Sequence, residues 1–176
     1  MSIFTEKINK ILKEKGVSQK KLGELFKKGK SHISHILSGE RPFPKKHIEK
    51  ILPILGVSRD EFNSWIAADE YPKELIEKAV ESIKNRKYKR KPVFTQNVDR
   101  ALDAKYLSRS AFAKIIVYHQ PSVNKMINQK ISVAPKVIDG LSEVLEIPKD
   151  DLQAWILADK YGLTALELAL TEKEKL

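Results

Sequence analysis

Two short polar stretches gather the side chains able to make directed contacts. The first is Gln19 followed by Lys30, Ser31, His32, Ser34 and His35; the second is Arg109 and Ser110 followed by Gln120, Ser122, Asn124 and Lys125. Amides present a donor beside an acceptor, cationic side chains only donate, and hydroxyls and imidazoles do either. Such a mixture suits recognition of anions and hydrogen-bonding edges. Bond-making chemistry is poorly served, because no nucleophile–base constellation, paired-carboxylate motif or phosphate-cradling glycine loop accompanies these residues. His32 and His35, three residues apart, would share a helix face and begin a metal site. A third ligand is not evident and Cys is absent, so a contact role is the stronger reading. We expect a protein that is not an enzyme, with no cofactor and no metal.

Charge points the same way. The 176 residues carry 33 Lys+Arg against 23 Asp+Glu, a formal net charge of +10 that makes polyanions the first partners to consider. The excess is uneven. Residues 1–92 hold 22 basic and 12 acidic side chains, whereas residues 93–176 hold 11 of each. Lys84–Pro92 is the densest run, six basic residues in nine, and includes Lys87, Lys89, Arg90 and Lys91. The absence of Cys removes disulfide scaffolds and thiolate metal sites, and no apolar run approaches the roughly 18 residues of a membrane span. The amino terminus lacks the basic-then-apolar order of a signal peptide, so a cytoplasmic location is expected.

The elements that must position these side chains come in two copies. An offset of 90 aligns residues 4–71 with 94–161 without a gap, and 14 of the 68 pairs are identical, enough to mark two copies of one unit. They include Phe4/Phe94, Leu12/Leu102, Ser18/Ser108, Leu55/Leu145 and the block Trp65-Ile66-x-Ala68-Asp69-x-Tyr71, repeated at Trp155–Tyr161. Apolar residues recur at three and four, as in Ile8, Ile11, Leu12 and in Ile33, Ile36, Leu37, which predicts short amphipathic helices and an all-α fold. Ser18, Ser108 and Ser58, the last with Glu61 three residues on, sit where N-caps belong. Pro121 suits a first helical turn, whereas Pro53 interrupts an otherwise periodic helix and predicts a kink. Beyond Tyr71 and Tyr161 each copy continues into a sixth amphipathic stretch. This helix either folds back on its own copy, packs the copies together or forms a homodimer seam. The expected domains are 1–83 and 93–176, joined by a basic linker at 84–92.

Ser18–Phe26 and Ser31–Gly39 read as helix, tight turn, helix, with small Gly23 allowing a close helix crossing and Ile33 and Ile36 locking the second helix to the core. This arrangement resembles the phage lambda-repressor-like helix-turn-helix domains, the XRE family. The resemblance covers residues 3–66 and, through the repeat, 93–156, where Ala113, Val123 and Met126 match. It departs at the turn: Lys27 and Val117 stand where the family has Gly, with Gly29 as a substitute in the first copy.

The resemblance implies double-stranded DNA as partner, with the third helix of each copy in the major groove and the start of the second at the phosphates. Lys30, Ser31, His32, Ser34 and His35 would then face bases, with Gln19 at the backbone. Gln120, Ser122, Asn124 and Lys125 would do the same in the second copy, with Arg109 and Ser110 at the backbone. Residues 19–45 and 109–135 share no identity, so two different half-sites are expected, and the chain would act as a covalent pseudo-dimer on a non-palindromic operator. The implied role is a transcriptional regulator of repressor type, associated with the nucleoid through DNA. An antitoxin or phage-type accessory factor whose second copy docks a protein partner is the alternative. The linker is either a spacer or an arm that follows phosphates.

Overall fold

The computed structural model describes residues 2–175, and all regular structure among them is helical. The chain runs through α1 (Ile3–Glu14), α2 (Gln19–Phe26), α3 (Lys30–Leu37), a single 3-10 turn (Lys45–His47), α4 (Ile48–Leu55), α5 (Arg59–Glu70) and α6 (Lys73–Lys84). It continues through α7 (Val93–Ala104), α8 (Arg109–Ile115), α9 (Gln120–Ile127), α10 (Pro135–Leu145) and α11 (Lys149–Lys173), the last broken at Gly162, where φ is 77°.

These helices fall into two compact units. Unit 1 comprises the described residues of Met1–Pro72 and Glu167–Leu176, and unit 2 comprises Lys73–Leu166. This division differs from the expected one. It falls at Pro72, and α6 packs inside unit 2 with Leu75, Ile76, Ala79, Val80 and Ile83 buried. The end of α11 belongs to unit 1, where Glu172 pairs with Lys7 at 2.9 Å. The basic stretch 84–92 is therefore not a free spacer but an ordered connector within unit 2. The Gln96 side chain accepts from the Tyr88 N–H at 2.8 Å and donates to the carbonyls of Tyr88 and Lys91 at 2.6 and 2.7 Å.

Unit 1 closes on an aromatic core. Phe4, Phe26, Phe43, Phe62 and Trp65 meet ring to ring at 5.3–6.0 Å, with Ile8, Leu22, Ile33 and Ile51 buried beside them. Unit 2 is more aliphatic, built on Phe94, Val98, Phe112, Val123, Val137, Leu141 and Leu152. Ser18, Ser58 and Ser108 cap α2, α5 and α8 with their side chains, Pro121 lies in the first turn of α9, and α4 runs unbroken through Pro53.

Backbone details recur at the offset of 90. Helices α1 and α7 have matching limits, as do α3 and α9. Left-handed residues occur at Gly16, Lys27, Gly39 and Gly56, and again at Tyr106, Val117, Gln129 and Glu146. The turn needs that conformation whether or not glycine supplies it. Gly29 does not take over from Lys27: its φ is −66° and it is simply the N-cap of α3.

Candidate nucleic-acid interface

In unit 1 the geometry starts at Ser18, whose hydroxyl accepts from the Lys21 N–H and begins α2. The helix ends because Lys27 turns left-handed, at φ 53° and ψ 49°, and the Lys28 N–H returns to the Gly23 carbonyl at 2.9 Å. A Cβ on Gly23 would lie 2.7 Å from the Lys28 carbonyl oxygen but 3.8 Å from Ile33, so it is the turn backbone, more than the helix crossing, that calls for glycine. Ile33 and Ile36 are buried as expected, fixing α3 with Lys30, Ser31 and Ser34 on its open face.

Around this turn lies a feature sequence reasoning missed. Lys20, Lys27, Lys28 and Lys30, with Gly23 and Glu24, line a surface cleft of about 400 Å³. Four lysines from α2, the turn and the start of α3 thus border one open surface concavity. The signal was available, because five lysines, Lys20, Lys21, Lys27, Lys28 and Lys30, fall in residues 20–30 at positions the apolar periodicity leaves outside the core. Gln19 is half-buried beside them.

The two histidines of α3 differ. His35 Nδ1 lies 2.5 Å from Glu40 Oε2 and the ring is partly exposed. His32 receives a hydrogen bond from Arg41 on Nδ1 at 3.3 Å, while its Nε2 is buried without a partner. Burial, then the positive charges of Lys28 and Arg41, holds the His32 pKa below its usual value. His32, expected to face bases, thus meets Arg41 through Nδ1 and turns Nε2 inward. A third imidazole was not foreseen: His47 is buried, stacked on Phe26 at 4.4 Å, with both ring nitrogens unpartnered. Burial, then Lys46 and Lys50, lowers its pKa. Among the described residues no group of three or more potential metal ligands forms.

A helix-turn-helix family model matches residues 8–62. The matched span reaches from within α1 to Phe62 of α5 and includes α2 and α3. No curated protein and no solved structure matches the chain. Among the described residues no helix is long and apolar enough to cross a membrane.

Outside the helix-turn-helix match, unit 2 presents its expected contact residues differently. Arg109 is engaged by Asp99 through Nε and NH2 at 2.8 and 2.9 Å, and by the Asn128 side-chain oxygen through NH1 at 2.9 Å. It ties α7, α8 and the end of α9 together, so the guanidinium expected at the DNA backbone is engaged within unit 2. Ser110 is half-buried, Gln120 and Lys125 are exposed, and Ser122 bonds His119 Nδ1 at 3.1 Å. Asn124 turns its side-chain oxygen inward, buried and without a partner. Where unit 1 has Lys27, Lys28 and Arg41, the positions 90 later hold Val117, Tyr118 and Ile131, with Val117 79% and Ile131 43% exposed. Lys87, Lys89, Arg90 and Lys91 of the connector are exposed, with the ammonium groups of Lys87 and Lys91 set 5.4 and 5.8 Å from the Tyr88 ring centre.

Proposed function

We propose that this chain is a sequence-specific double-stranded DNA-binding regulator of the XRE type, acting by occupancy and not by catalysis. The observation that carries it is the coincidence of the family match with the lysine-lined cleft on the same helix pair. Phosphates supply most of the affinity of such proteins, and the lysines bordering the cleft at the head of α3 would hold the backbone while α3 enters the major groove. Lys30, Ser31, Ser34 and His35 then face base edges.

The finer reading is a repressor-like pseudo-dimer, unit 2 presenting a second helix pair α8–α9 to a different half-site. It is supported by the shared helix limits and by the four left-handed positions that recur 90 residues on. Selection from random duplexes with the purified full chain tests both levels. A long non-palindromic enriched sequence is expected. No enrichment overturns DNA reading, and a perfect palindrome overturns the pseudo-dimer.

One observation favours a second role for unit 2, that of docking a protein. The face that is cationic in unit 1 is apolar at Val117 and Ile131, and Ile115 beside it is 53% exposed. Truncation after residue 92 would cut inside unit 2, so the discriminating variant is Gln120→Ala/Asn124→Ala/Lys125→Ala in the full chain. An unshortened selected site removes these unit 2 residues from DNA reading and leaves the docking role in place.

A further inference from the structure

His32 and His35 are three residues apart on α3, yet neighbours of opposite chemical character hold their Nδ1 atoms. Glu40 places Oε2 2.5 Å from His35 Nδ1, while its Oε1 accepts from the Ser38 hydroxyl at 3.0 Å. These two hydrogen bonds, the one to His35 foremost, hold the Glu40 carboxyl below its ordinary range. An ionised carboxylate only accepts, so the hydrogen in this contact sits on His35 Nδ1. With that hydrogen fixed on Nδ1, the lone pair of the singly protonated ring lies on Nε2. Arg41, by contrast, only donates, so His32 Nδ1 is the acceptor and its hydrogen sits on Nε2, which is buried. Consecutive residues Glu40 and Arg41 thus impose opposite tautomers on the two rings, and only the His35 ring is left to meet a ligand.

We propose that Glu40 is a positioning residue that fixes His35 with Nε2 as a hydrogen-bond acceptor, so that His35 selects a base with an exocyclic amine, adenine or cytosine, in the major groove. This rests on the DNA-binding reading above. Adenine N6 and cytosine N4 are the base donors exposed in that groove, whereas guanine and thymine offer acceptors there at O6, N7 and O4. An Nε2 lone pair attracts the former and repels the latter. His35 occupies the open face of α3 with Ser31 and Ser34, and Glu40 itself is 63% exposed at the side chain, so neither residue is needed for the core.

Two measurements on the full chain test this. In nitrogen-15 spectra of the free protein, His35 is expected with hydrogen on Nδ1 and His32 with hydrogen on Nε2; hydrogen on His35 Nε2 overturns the proposal. Binding-site selection is then run on the wild type, His35→Ala and Glu40→Ala. The position that His35→Ala flattens is the one His35 reads, and the wild type is expected to prefer adenine or cytosine there on the contacted strand by about fivefold. Glu40→Ala frees Nδ1, lets the hydrogen move to Nε2, and should shift that single position toward guanine or thymine. Guanine or thymine in the wild type, or an unchanged preference in Glu40→Ala, overturns the proposal. If the wild type enriches no sequence, the DNA-binding reading fails and this inference with it, an outcome distinct from a selected site with the wrong base.

Discussion

Arg109 and Asp99 form a two-pronged pair, guanidinium Nε and NH2 against both carboxylate oxygens at 2.8 and 2.9 Å, with side chains only 24% and 33% exposed. Paired, hydrogen-bonded charges of this geometry are strong for their class, though partial exposure screens them. Arg109→Ala should therefore destabilise the protein by about 1–2 kcal/mol, read by urea denaturation, with a smaller effect on DNA affinity at fixed salt. A large loss of affinity with unchanged stability would return Arg109 to the phosphate-contact role its sequence position suggests.

Val117 sits at φ 50° with a branched β-carbon and 79% of its surface exposed. A left-handed conformation costs an L-residue roughly 1–2 kcal/mol, part of which glycine offsets by its greater freedom when unfolded. Val117→Gly should raise stability by about 0.5–1 kcal/mol, since almost no burial is lost. A thermal melt checks it; a lower midpoint would show that the exposed valine is held by contacts that compensate the strain.

The helices, their serine caps and the burial of Ile33 and Ile36 were legible because apolar spacing and cap chemistry act locally. What eluded the sequence depends on through-space partners. Asp69 and Asp159 stood out only as identical residues; their function is to accept from the N–H groups of Ile3 and Phe4 at 2.7 and 2.9 Å, and of Val93 and Phe94 at 2.6 and 2.9 Å. Nothing at a separation of 66 residues announces that a carboxylate caps a helix. The same holds for α6, whose apolar stripe was plain while the unit it covers was not, and for Arg109, whose partner lies on another helix. Asp69→Ala should cost about 1–2 kcal/mol by exposing the first turn of α1, measured by denaturation; an unchanged midpoint would mean that Ser2, which also caps α1, suffices.

His47 gives unit 1 a pH dependence of defined sign. Its folded pKa is lowered by burial and by Lys46 and Lys50, and His32 is lowered likewise. Unfolded histidine takes up protons near its ordinary value of about 6.5, where the folded rings do not. Stability is fully present above that pH and declines as pH falls through it toward the lower folded pKa. Urea midpoints at pH 7.5, 6.5 and 5.5 should fall in that order. His47→Val should flatten the trend, because the position 90 residues on is Val137, fully buried in unit 2. An equally steep trend in the variant would assign it to other groups.

Salt dependence separates the two cationic regions. Each ammonium at a phosphate contributes about 0.9 to the slope of log affinity against log salt. Lys20, Lys27, Lys28 and Lys30 share one cleft at the head of α3, so replacing all four by Gln should lower the slope by about 3. The connector residues Lys87, Lys89, Arg90 and Lys91 lie in a stretch that Gln96 holds within unit 2, and two of their ammonium groups flank Tyr88. Their replacement by Gln should change the slope by less than about 1, as expected of charge that acts at a distance and is screened within a Debye length. If the connector quartet lowered the slope as much as the cleft quartet, the connector would be a DNA-following arm, and the ordering imposed by Gln96 would serve to aim it.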